Sequence, residues 1–510
     1  MLEKPMNSSH CIGRVGLGLL SVWFLAAGPV GAAEALRLHP ENPHYFLFRG
    51  RPTVIITSGE HYGAVLNLDF NYRRYLKTLA KEGLNGTRTW VGAYCEPSGA
   101  FRIAQNTLAP RPGRFASPWA RSEQPGYQNG GNKFDLTRWD QAYFKRLKDF
   151  IFQAGKRGIV VEVNLFCPFY EESMWRLSPM NAVNNVNRLG ALARTNVYTL
   201  DKNNGLLGVE ETLVRKVVTE LSRFDNLYYE ICNEPYFGGV TLPWQRHIAE
   251  VIVETEKGLG RRHLISQNIA NQKASVKDPD PAVAILNFHY ASPPETVALN
   301  YDLNRVIGDN ETGFRGTNDA PYRMEGWDFI VAGGGLFNHL DYSFTAGHED
   351  GRFVYPATQP GGGSPALRRQ LRFLGEFIRR FDFLHMRPDN GLVTVVPAAG
   401  VTARALARPG QDYIVYLRTA PQPGEHGQYP AATFADGQLV VEVSLPAGQF
   451  KAQWLDPKQG SVIRSEHLTP AGGACKLAAP AFQDDIVLAI RRGGEDGSRA
   501  ARAAQAAHGP

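Results

Sequence analysis

The chain has 510 residues, of which 43% are apolar and 20% are charged, a composition typical of globular proteins. This length leaves room for two or three domains. The formal net charge of +6 is spread thinly, with no dense run of lysine and arginine. A basic stripe is the usual mark of a nucleic-acid-binding protein, so nucleic acid is not an expected partner.

Residues 1–33 are predicted to be a signal peptide. Lys4 and Arg14 precede an apolar run from Val15 to Ala27, and residues 30–33 offer the small side chains that a signal peptidase requires. The apolar run is too short and too rich in glycine for a transmembrane span. We therefore expect a secreted or periplasmic protein, monomeric and without a membrane partner after cleavage of the signal.

The remaining cysteines, Cys95, Cys167, Cys232 and Cys475, have no zinc-binding spacing. Cys95 and Cys167 both follow predicted strands. They could form a disulfide between neighbouring loops in an oxidising compartment, or they could be separate buried thiols. No metal or other cofactor is expected.

After a predicted hairpin near residues 36–52, strand-like and helix-like segments alternate up to Phe381. Such alternation implies parallel strands and predicts an α/β fold, a (β/α)8 TIM barrel with long loops at residues 94–133 and 167–205. A doubly wound sheet is the alternative, but no Gly-x-Gly-x-x-Gly follows the first strand. The predicted barrel strands are Thr53–Thr57, Leu84–Val91, Ile159–Phe166, Leu227–Cys232, His263–Ile269, Val283–His289, Asn304–Gly308 and Leu336–Phe344.

Beyond Asp382 the pattern changes to short alternating strands separated by glycine, proline and aspartate, which predicts a small all-β sandwich. Residues 493–510 are rich in glycine, alanine and arginine and are expected to be disordered. The predicted organisation is a signal peptide at 1–33, a catalytic barrel at 34–385, a β-sandwich at 386–492 and a disordered tail at 493–510.

Functional groups of such barrels lie at the C-terminal ends of the strands. Two glutamates stand out there. Glu234 follows the fourth predicted strand, where Pro235 breaks it, and Glu311 follows the seventh. A carboxyl group held rigidly at the end of a buried strand suits general acid catalysis. The other polar and aromatic residues at strand ends are Glu60, His61, Arg88, Trp90, Asn164, Asn233, His289, Tyr290, Asp341 and Tyr342.

This set resembles the site of clan A glycoside hydrolases, and most of all the cellulase-like family 5. The resemblance covers roughly Leu36 to Phe381. It implies a retaining mechanism in which Glu311 is the nucleophile and Glu234 the general acid and base, acting on a poly- or oligosaccharide. The matching residues are Asn85, Arg88, Asn233-Glu234-Pro235, His289-Tyr290 and Glu311.

The resemblance also implies roles for the flanking residues. Arg88 would keep Glu311 charged, although it could instead pair with Glu230, and Asn233 would bind the sugar 2-hydroxyl. His289 could be a site residue or a buried core histidine. The family commonly places His and Tyr two residues apart, whereas His289 and Tyr290 are adjacent, so only one of them is expected to line the site.

The aromatic platform for the sugar departs from the family pattern. A tryptophan often follows the eighth strand in the family, and Tyr342 occupies that place here. His61, Trp90 and Tyr236 are further candidates for substrate binding. The loop residues Trp119, Tyr127 and Trp175 could stack on sugar or pack internally.

The C-terminal region resembles a small β-sandwich domain named for collagen binding, through residues 413–417 and 453–457. The preferred hypothesis is a secreted retaining glycoside hydrolase that needs no metal. The alternative is a non-catalytic carbohydrate- or matrix-binding protein built on a glycosidase-like barrel.

Overall fold

The computed structural model describes residues 34–398, 400–420 and 431–493. The predicted signal peptide and residues 494–510 of the predicted tail lie outside these ranges. None of the helices in the described ranges is long and apolar enough to cross a membrane.

The first described elements form a three-stranded antiparallel sheet that lies at the N-terminal ends of the barrel strands. Leu36 and Phe46 belong to an apolar cluster with residues near the start of the barrel strands, among them Val160, Ile285 and Leu336. This sheet therefore closes the end of the barrel away from the predicted site. Its strands are β1 (Arg37–Leu38), β2 (Phe46–Phe48) and β3 (Arg51–Thr53).

Eight parallel strands form one sheet in the order β4-β13-β12-β11-β10-β9-β8-β5. The predicted (β/α)8 barrel is confirmed. The two intervening strands, β6 and β7, form an antiparallel hairpin in the long loop after β5. In chain order the strands are β4 (Ile55–Gly59), β5 (Gly86–Trp90), β6 (Trp119–Pro125), β7 (Asn132–Trp139), β8 (Val160–Phe166), β9 (Leu227–Cys232), β10 (Ile265–Asn271), β11 (Ile285–His289), β12 (Val306–Thr312) and β13 (Leu336–Leu340).

Side chains join β4 to β5, which share no backbone ladder. Asn85 accepts from the Ile56 N–H at 2.9 Å and donates to the Val54 carbonyl at 2.8 Å. Thr57 donates its hydroxyl to the Gly86 carbonyl at 2.6 Å. A Cβ at Gly86 would lie 2.6 Å from Ile55 Cγ2, so the close approach of the two strands requires glycine.

Helices surround the barrel. Residues 132–139 form β7, and the helix that follows begins at Gln141. Asp140 caps it by accepting from the N–H groups of Ala142 and Tyr143 at 2.8 and 3.2 Å. The helices are α1 (Tyr72–Lys81), α2 (Gln141–Gly155), α3 (Glu172–Trp175), α4 (Leu206–Leu221), α5 (Leu242–Lys257), α6 (Glu295–Asn300), α7 (Asp319–Val331) and α8 (Pro365–Ile378).

The C-terminal region consists of antiparallel sheets, as predicted. A six-stranded sheet (β14-β16-β17-β24-β20-β21) and a three-stranded sheet (β15-β19-β22) share an apolar core that includes Val415, Trp454 and Leu488. Six of these strands were not predicted from the sequence: β14, β16, β18, β21, β22 and β23. The strands are β14 (Arg387–Pro388), β15 (Val393–Val396), β16 (Val401–Arg408), β17 (Asp412–Thr419), β18 (Thr433–Phe434), β19 (Val440–Leu445), β20 (Phe450–Asp456), β21 (Ser461–Leu468), β22 (Gly473–Ala478), β23 (Phe482–Gln483) and β24 (Asp485–Arg492).

Helix α7 joins the barrel to the β-sandwich. All its residues from Pro321 to Val331 are buried. Arg323 makes three hydrogen bonds of 2.7–3.2 Å to the carboxylate of Asp485. Trp327 stacks on Tyr416 with ring centroids 5.6 Å apart. The sandwich is therefore attached to the barrel through a buried, charged and aromatic interface.

Candidate active site

The two predicted glutamates meet at the C-terminal end of the barrel. Glu311 lies in β12, and Glu234 lies two residues after β9. One carboxylate oxygen from each and a ring nitrogen of His289 all lie within 4.8 Å of one another. Both glutamates are largely buried, with 7% of Glu234 and 6% of Glu311 exposed.

The backbone of Glu234 is left-handed, with a φ of 33°. Such a conformation is strained for a residue with a Cβ, and strain of this kind concentrates at functional sites. The following loop is tightly packed, because a Cβ at Gly238 would lie 2.7 Å from Pro168 and one at Gly239 2.3 Å from the Thr195 carbonyl oxygen. Both glycines also have positive φ values. This turn directs the Glu234 side chain toward Glu311.

Three side chains bind the Glu234 carboxylate. Tyr170 donates to Oε2 at 2.6 Å, Tyr236 donates to Oε1 at 3.3 Å, and Nδ1 of His289 lies 3.1 Å from Oε1. Burial acts to raise the pKa of Glu234, but the hydrogen bond and charge of His289 and the two tyrosine hydroxyls lower it overall. The arrangement stabilises the ionised form of this carboxyl group.

Glu311 is held by two tyrosines and an arginine. Tyr290 donates to Oε1 at 2.6 Å, Tyr62 donates to Oε2 at 2.9 Å, and Arg88 Nη1 donates to Oε2 at 3.2 Å. The guanidinium of Arg88 also stacks over the Tyr62 ring at 4.6 Å. These charge-assisted and hydroxyl hydrogen bonds fix the carboxylate in one orientation.

Arg88 makes both of the predicted ion pairs at once. Besides Glu311, it contacts Glu230 through Nη2 in a short hydrogen bond, and the same nitrogen donates to Asn233 Oδ1 at 2.7 Å. The alternatives considered from the sequence are therefore not exclusive. Arg88 thus connects Glu230, in the barrel interior, to Glu311 in the candidate site.

His289 and Tyr290 both line the site, and the prediction that only one would do so is wrong. His289 contacts Glu234, while Tyr290 contacts Glu311. Strand alternation does not apply here, because β11 ends at His289 and Tyr290 has a φ of 53°. The β11–β12 register also shifts between Phe288 and His289.

Asn233 lies in the site, but its amide already has protein partners. Its Oδ1 accepts from Arg88, and its Nδ2 donates to the Tyr170 hydroxyl at 2.8 Å. Binding of a sugar hydroxyl by Asn233, as the resemblance implies, would have to share these bonds. The structure itself shows a residue that orients Arg88 and Tyr170.

His61 and Trp90 lie beside Tyr62. His61 packs edge-on against Tyr62 with centroids 5.4 Å apart, and Trp90 stacks on Tyr62 with centroids 5.4 Å apart. Burial lowers the pKa of His61 to about 4, against the opposing influence of the Glu311 charge. His61 is thus neutral at ordinary pH, and Trp90 packs against the Tyr62 ring.

The two remaining predicted substrate-binding residues differ in exposure. Tyr236 is 38% exposed at the mouth of the site, whereas only 3% of Tyr342 is exposed. Tyr342 packs edge-on against Phe314 at 6.1 Å and lies 6.4 Å from His61. Tyr236 is therefore positioned to contact a ligand at the surface, and Tyr342 forms part of the inner wall.

Several other sequence candidates have structural roles. Trp119, Tyr127 and Trp175 are buried in loop packing and do not reach the surface. Glu60 accepts from the N–H groups of its own turn at 2.9 and 3.0 Å, and burial raises its pKa to about 7. Asp341 pairs with Arg368 at 2.6 Å. Cys95, Cys167, Cys232 and Cys475 are free thiols.

Two site residues, Tyr62 and Tyr170, were not predicted from the sequence; they contact Glu311 and Glu234 respectively. Tyr62 directly follows Glu60 and His61 beyond a strand end and has a left-handed φ of 59°. Its position was a signal that could have found it. Tyr170 lies in the long loop after β8, where no strand or helix periodicity predicts the direction of a side chain.

Glu234, His289 and Glu311 are also residue types that can bind a metal ion. Here, however, four tyrosine hydroxyls and the Arg88 guanidinium donate to the two carboxylates. A guanidinium beside Glu311 would repel a second cation. The donor set fits a hydrogen-bonded pair of acids better than a metal centre.

The chain matches no protein-family model and no curated protein. Its fold is similar to a family 5 glycoside hydrolase from Bacteroides vulgatus ATCC 8482, with a TM-score of 0.59 and 13% identity over 91% of this chain and 94% of that one. A candidate glycoside hydrolase from the same organism gives a TM-score of 0.61 and 14% identity over 90% and 83%. Another glycoside hydrolase gives 0.59 and 14% over 91% and 98%. The chain therefore has a fold that is found in solved glycoside hydrolases.

Proposed function

We propose that the protein is a retaining glycoside hydrolase that cleaves O-glycosidic bonds of a poly- or oligosaccharide. The observation that carries this proposal is the separation of Glu234 and Glu311, whose nearest carboxylate oxygens lie within 4.8 Å. Retaining enzymes hold their carboxyl groups about 5–5.5 Å apart, whereas inverting enzymes leave roughly 6.5–9.5 Å for a water molecule.

In the first step Glu311 attacks the anomeric carbon while the glycosidic C–O bond breaks. Glu234 gives its proton to the departing oxygen, which leaves as an alcohol. Arg88, Tyr62 and Tyr290 hold the Glu311 carboxylate in one orientation before attack. Such preorganisation contributes to the rate because the donors need not reorient during the reaction.

In the second step Glu234, now ionised, takes a proton from water. The water oxygen bonds to the anomeric carbon, and the ester bond to Glu311 breaks. The sugar leaves with its original configuration after two inversions. The hydrogen bonds that lower the pKa of Glu234 favour its base form, which this step requires.

Glu234 must carry a proton for the first step, and Nδ1 of His289 lies within hydrogen-bonding distance of its Oε1, at 3.1 Å. A bound leaving group that competes for the Tyr170 and Tyr236 hydroxyls would remove donors from the Glu234 carboxylate. The pKa of Glu234 would then rise toward the value that an acid needs.

Exposed aromatic side chains surround Glu234 and support a carbohydrate substrate. Phe101, Tyr236 and Phe237 are 38%, 38% and 43% exposed. Their rings continue from Tyr170, which lies 5.4 Å from Phe101 and 5.8 Å from Phe237. Because Glu234 protonates the leaving group, this aromatic rim lies where that group would bind. The predicted signal peptide at residues 1–33 supports action outside the cytoplasm.

The deciding experiment is proton NMR of the first product formed from a cleaved glycan. Retention of the anomeric configuration is expected, and inversion would overturn the mechanism. Glu311→Ala should abolish turnover, while the surface variant Glu295→Ala, whose side chain is 46% exposed, serves as the control. Binding of glycans without cleavage by the wild type across a broad panel would favour a non-catalytic binding protein.

A further inference from the structure

Beneath Arg88 the barrel interior holds a second pair of carboxyl groups, Glu162 on β8 and Glu230 on β9. Only 3% of Glu162 and 0% of Glu230 are exposed. The strands that carry them are parallel neighbours. Buried carboxyl groups are costly unless they are paired or protonated, so this pair requires a physical explanation.

Two asparagines hold the pair together. Nδ2 of Asn287 lies 3.0 Å from Glu162 Oε1 and 3.0 Å from Glu230 Oε2. Nδ2 of Asn310 lies 2.8 Å from the same Glu162 oxygen and 2.6 Å from the same Glu230 oxygen. Each amide thus spans one oxygen of each glutamate. Two carboxyl groups sharing a buried site in this way cannot both ionise at neutral pH.

Arg88 distinguishes the two glutamates. Its Nη2 makes a short hydrogen bond to Glu230, whereas its Nε lies 3.8 Å from Glu162 Oε1, beyond hydrogen-bonding distance. Within the described parts of the chain, the buried Nε–H has no hydrogen-bond acceptor. A charged Glu162 would be drawn to that unpaired donor, so the geometry marks Glu162 as the neutral member.

The electrostatics agree with this assignment. Burial, followed by the Glu230 charge, raises the pKa of Glu162 well above its usual value, although Arg88 opposes the shift. Burial also acts to raise the pKa of Glu230, but the charge of Arg88, the hydrogen bond from Glu162 and the charge of His289 lower it overall. Further ionisable groups that face the pair are Tyr228, whose hydroxyl donates to Glu162 Oε2 at 3.0 Å, and the buried Cys232 thiol, whose pKa is raised by burial and by the Glu230 charge.

We propose that Glu162 is a positioning residue that stays protonated at neutral pH and donates a hydrogen bond to Glu230. The pair then presents a single negative charge to Arg88. One part of the guanidinium is held by Glu230, and Nη1 remains available for Glu311. The positioning role rests on the proposed function of Glu311, whereas the proton on Glu162 does not depend on it.

Infrared difference spectroscopy of the wild type against Glu162→Gln at pH 7 tests the proton directly. The expected result is loss of one carbonyl band of a protonated carboxylic acid. Glu210→Gln is the matched control, because Glu210 is also a buried carboxyl group whose pKa is raised by burial, to about 8. Its hydrogen-bond partner, Trp244, lies outside the site. Loss of carboxylate bands in Glu162→Gln would show an ionised Glu162 and overturn the proposal.

Kinetics test the positioning role. Glu230→Gln removes the charge that anchors Arg88, so its kcat should fall at least tenfold further than that of Glu162→Gln. Equal losses would overturn the distinction between the two residues. A wild type without turnover would contradict the proposed function, yet the infrared band would still decide the protonation of Glu162. If Glu162→Gln does not fold, Tyr228→Phe should shift the same band, and an unchanged band would contradict the assignment.

Discussion

Nδ1 of His289 lies 3.1 Å from Glu234 Oε1 and 3.7 Å from Glu311 Oε1. One imidazole therefore stands between the proposed acid and the proposed nucleophile. Its charge and hydrogen bond are among the causes that lower the pKa of Glu234. The pH dependence of catalysis should consequently depend on His289.

Replacing His289 with Gln removes a cause of the lowered pKa of Glu234, so that pKa should rise. Glu234 would then keep its catalytic proton to higher pH, and the alkaline limb of the kcat/KM profile should shift to higher pH. The measurement is a pH–rate profile of both proteins on one substrate. An alkaline limb that stays in place or moves to lower pH would contradict the role of His289.

The aromatic rim gives a prediction about substrate binding. Phe237→Ala should raise KM about fivefold for substrates with a sugar leaving group, since losing roughly 1 kcal/mol of apolar contact weakens binding by that factor. Substrates with a small leaving group should be affected little. Phe152→Ala is the control, because Phe152 is 50% exposed on α2. Equal KM changes in the two variants would remove Phe237 from the binding surface.

The barrel and the positions of its two glutamates could be predicted from sequence, because buried parallel strands read as apolar runs ended by polar residues. Glu234 and Glu311 both lie at such ends. Alternation failed where the backbone leaves the strand geometry, as at Tyr290 with its φ of 53°. The face of a residue beyond a strand end depends on that φ, which sequence does not specify for a tyrosine.

Long-range contacts set the rest of the site. Tyr170 reaches Glu234 from a loop whose packing depends on glycines such as Gly238. The Glu162–Glu230 pair could not be predicted from the sequence, because its asparagine partners lie on β11 and β12. Each of the four hydrogen bonds joins residues more than 50 positions apart in the chain. Periodicity identifies inward-facing residues, but it cannot show which of them meet across a barrel.

Asn85 should be important for closure of the barrel. Asn85→Ala leaves the Ile56 N–H and the Val54 carbonyl without their side-chain partner, which should lower the free energy of unfolding by about 2–4 kcal/mol. Thr57→Val removes a single bond across the same gap and should cost about 1 kcal/mol. Urea unfolding of both variants would measure the difference. Equal and small effects would show that β4 and β5 are held by packing alone.

Glu210 should make stability depend on pH. Burial raises its folded-state pKa to about 8, so its stabilising contribution is complete below the unfolded pKa of roughly 4.5 and is lost as pH rises to about 8. Glu210→Gln should not show this loss, so its free energy of unfolding should fall less steeply with pH, by up to about 1.4 kcal/mol per pH unit. Urea midpoints between pH 5 and 8 would show a flatter profile for the variant. Glu250→Gln, at a side chain 74% exposed, should leave the profile unchanged.

The α7 interface predicts that barrel and sandwich unfold together. Arg323 and Asp485 are both buried, and Asp485 also accepts from the Tyr416 hydroxyl at 2.9 Å. Arg323→Met leaves the Asp485 charge buried without its arginine partner, which should destabilise the fold by about 3–5 kcal/mol.

Asp485→Asn in the Arg323→Met background removes the stranded charge, so the double variant should be more stable than Arg323→Met alone. Calorimetry should show one transition for the wild type, because the interface is as buried as a domain core. Two separate transitions, or additive losses in the double-mutant cycle, would mean that the sandwich is only loosely attached. A loosely attached sandwich could move as an independent binding module, whereas a coupled one would act as part of the catalytic body.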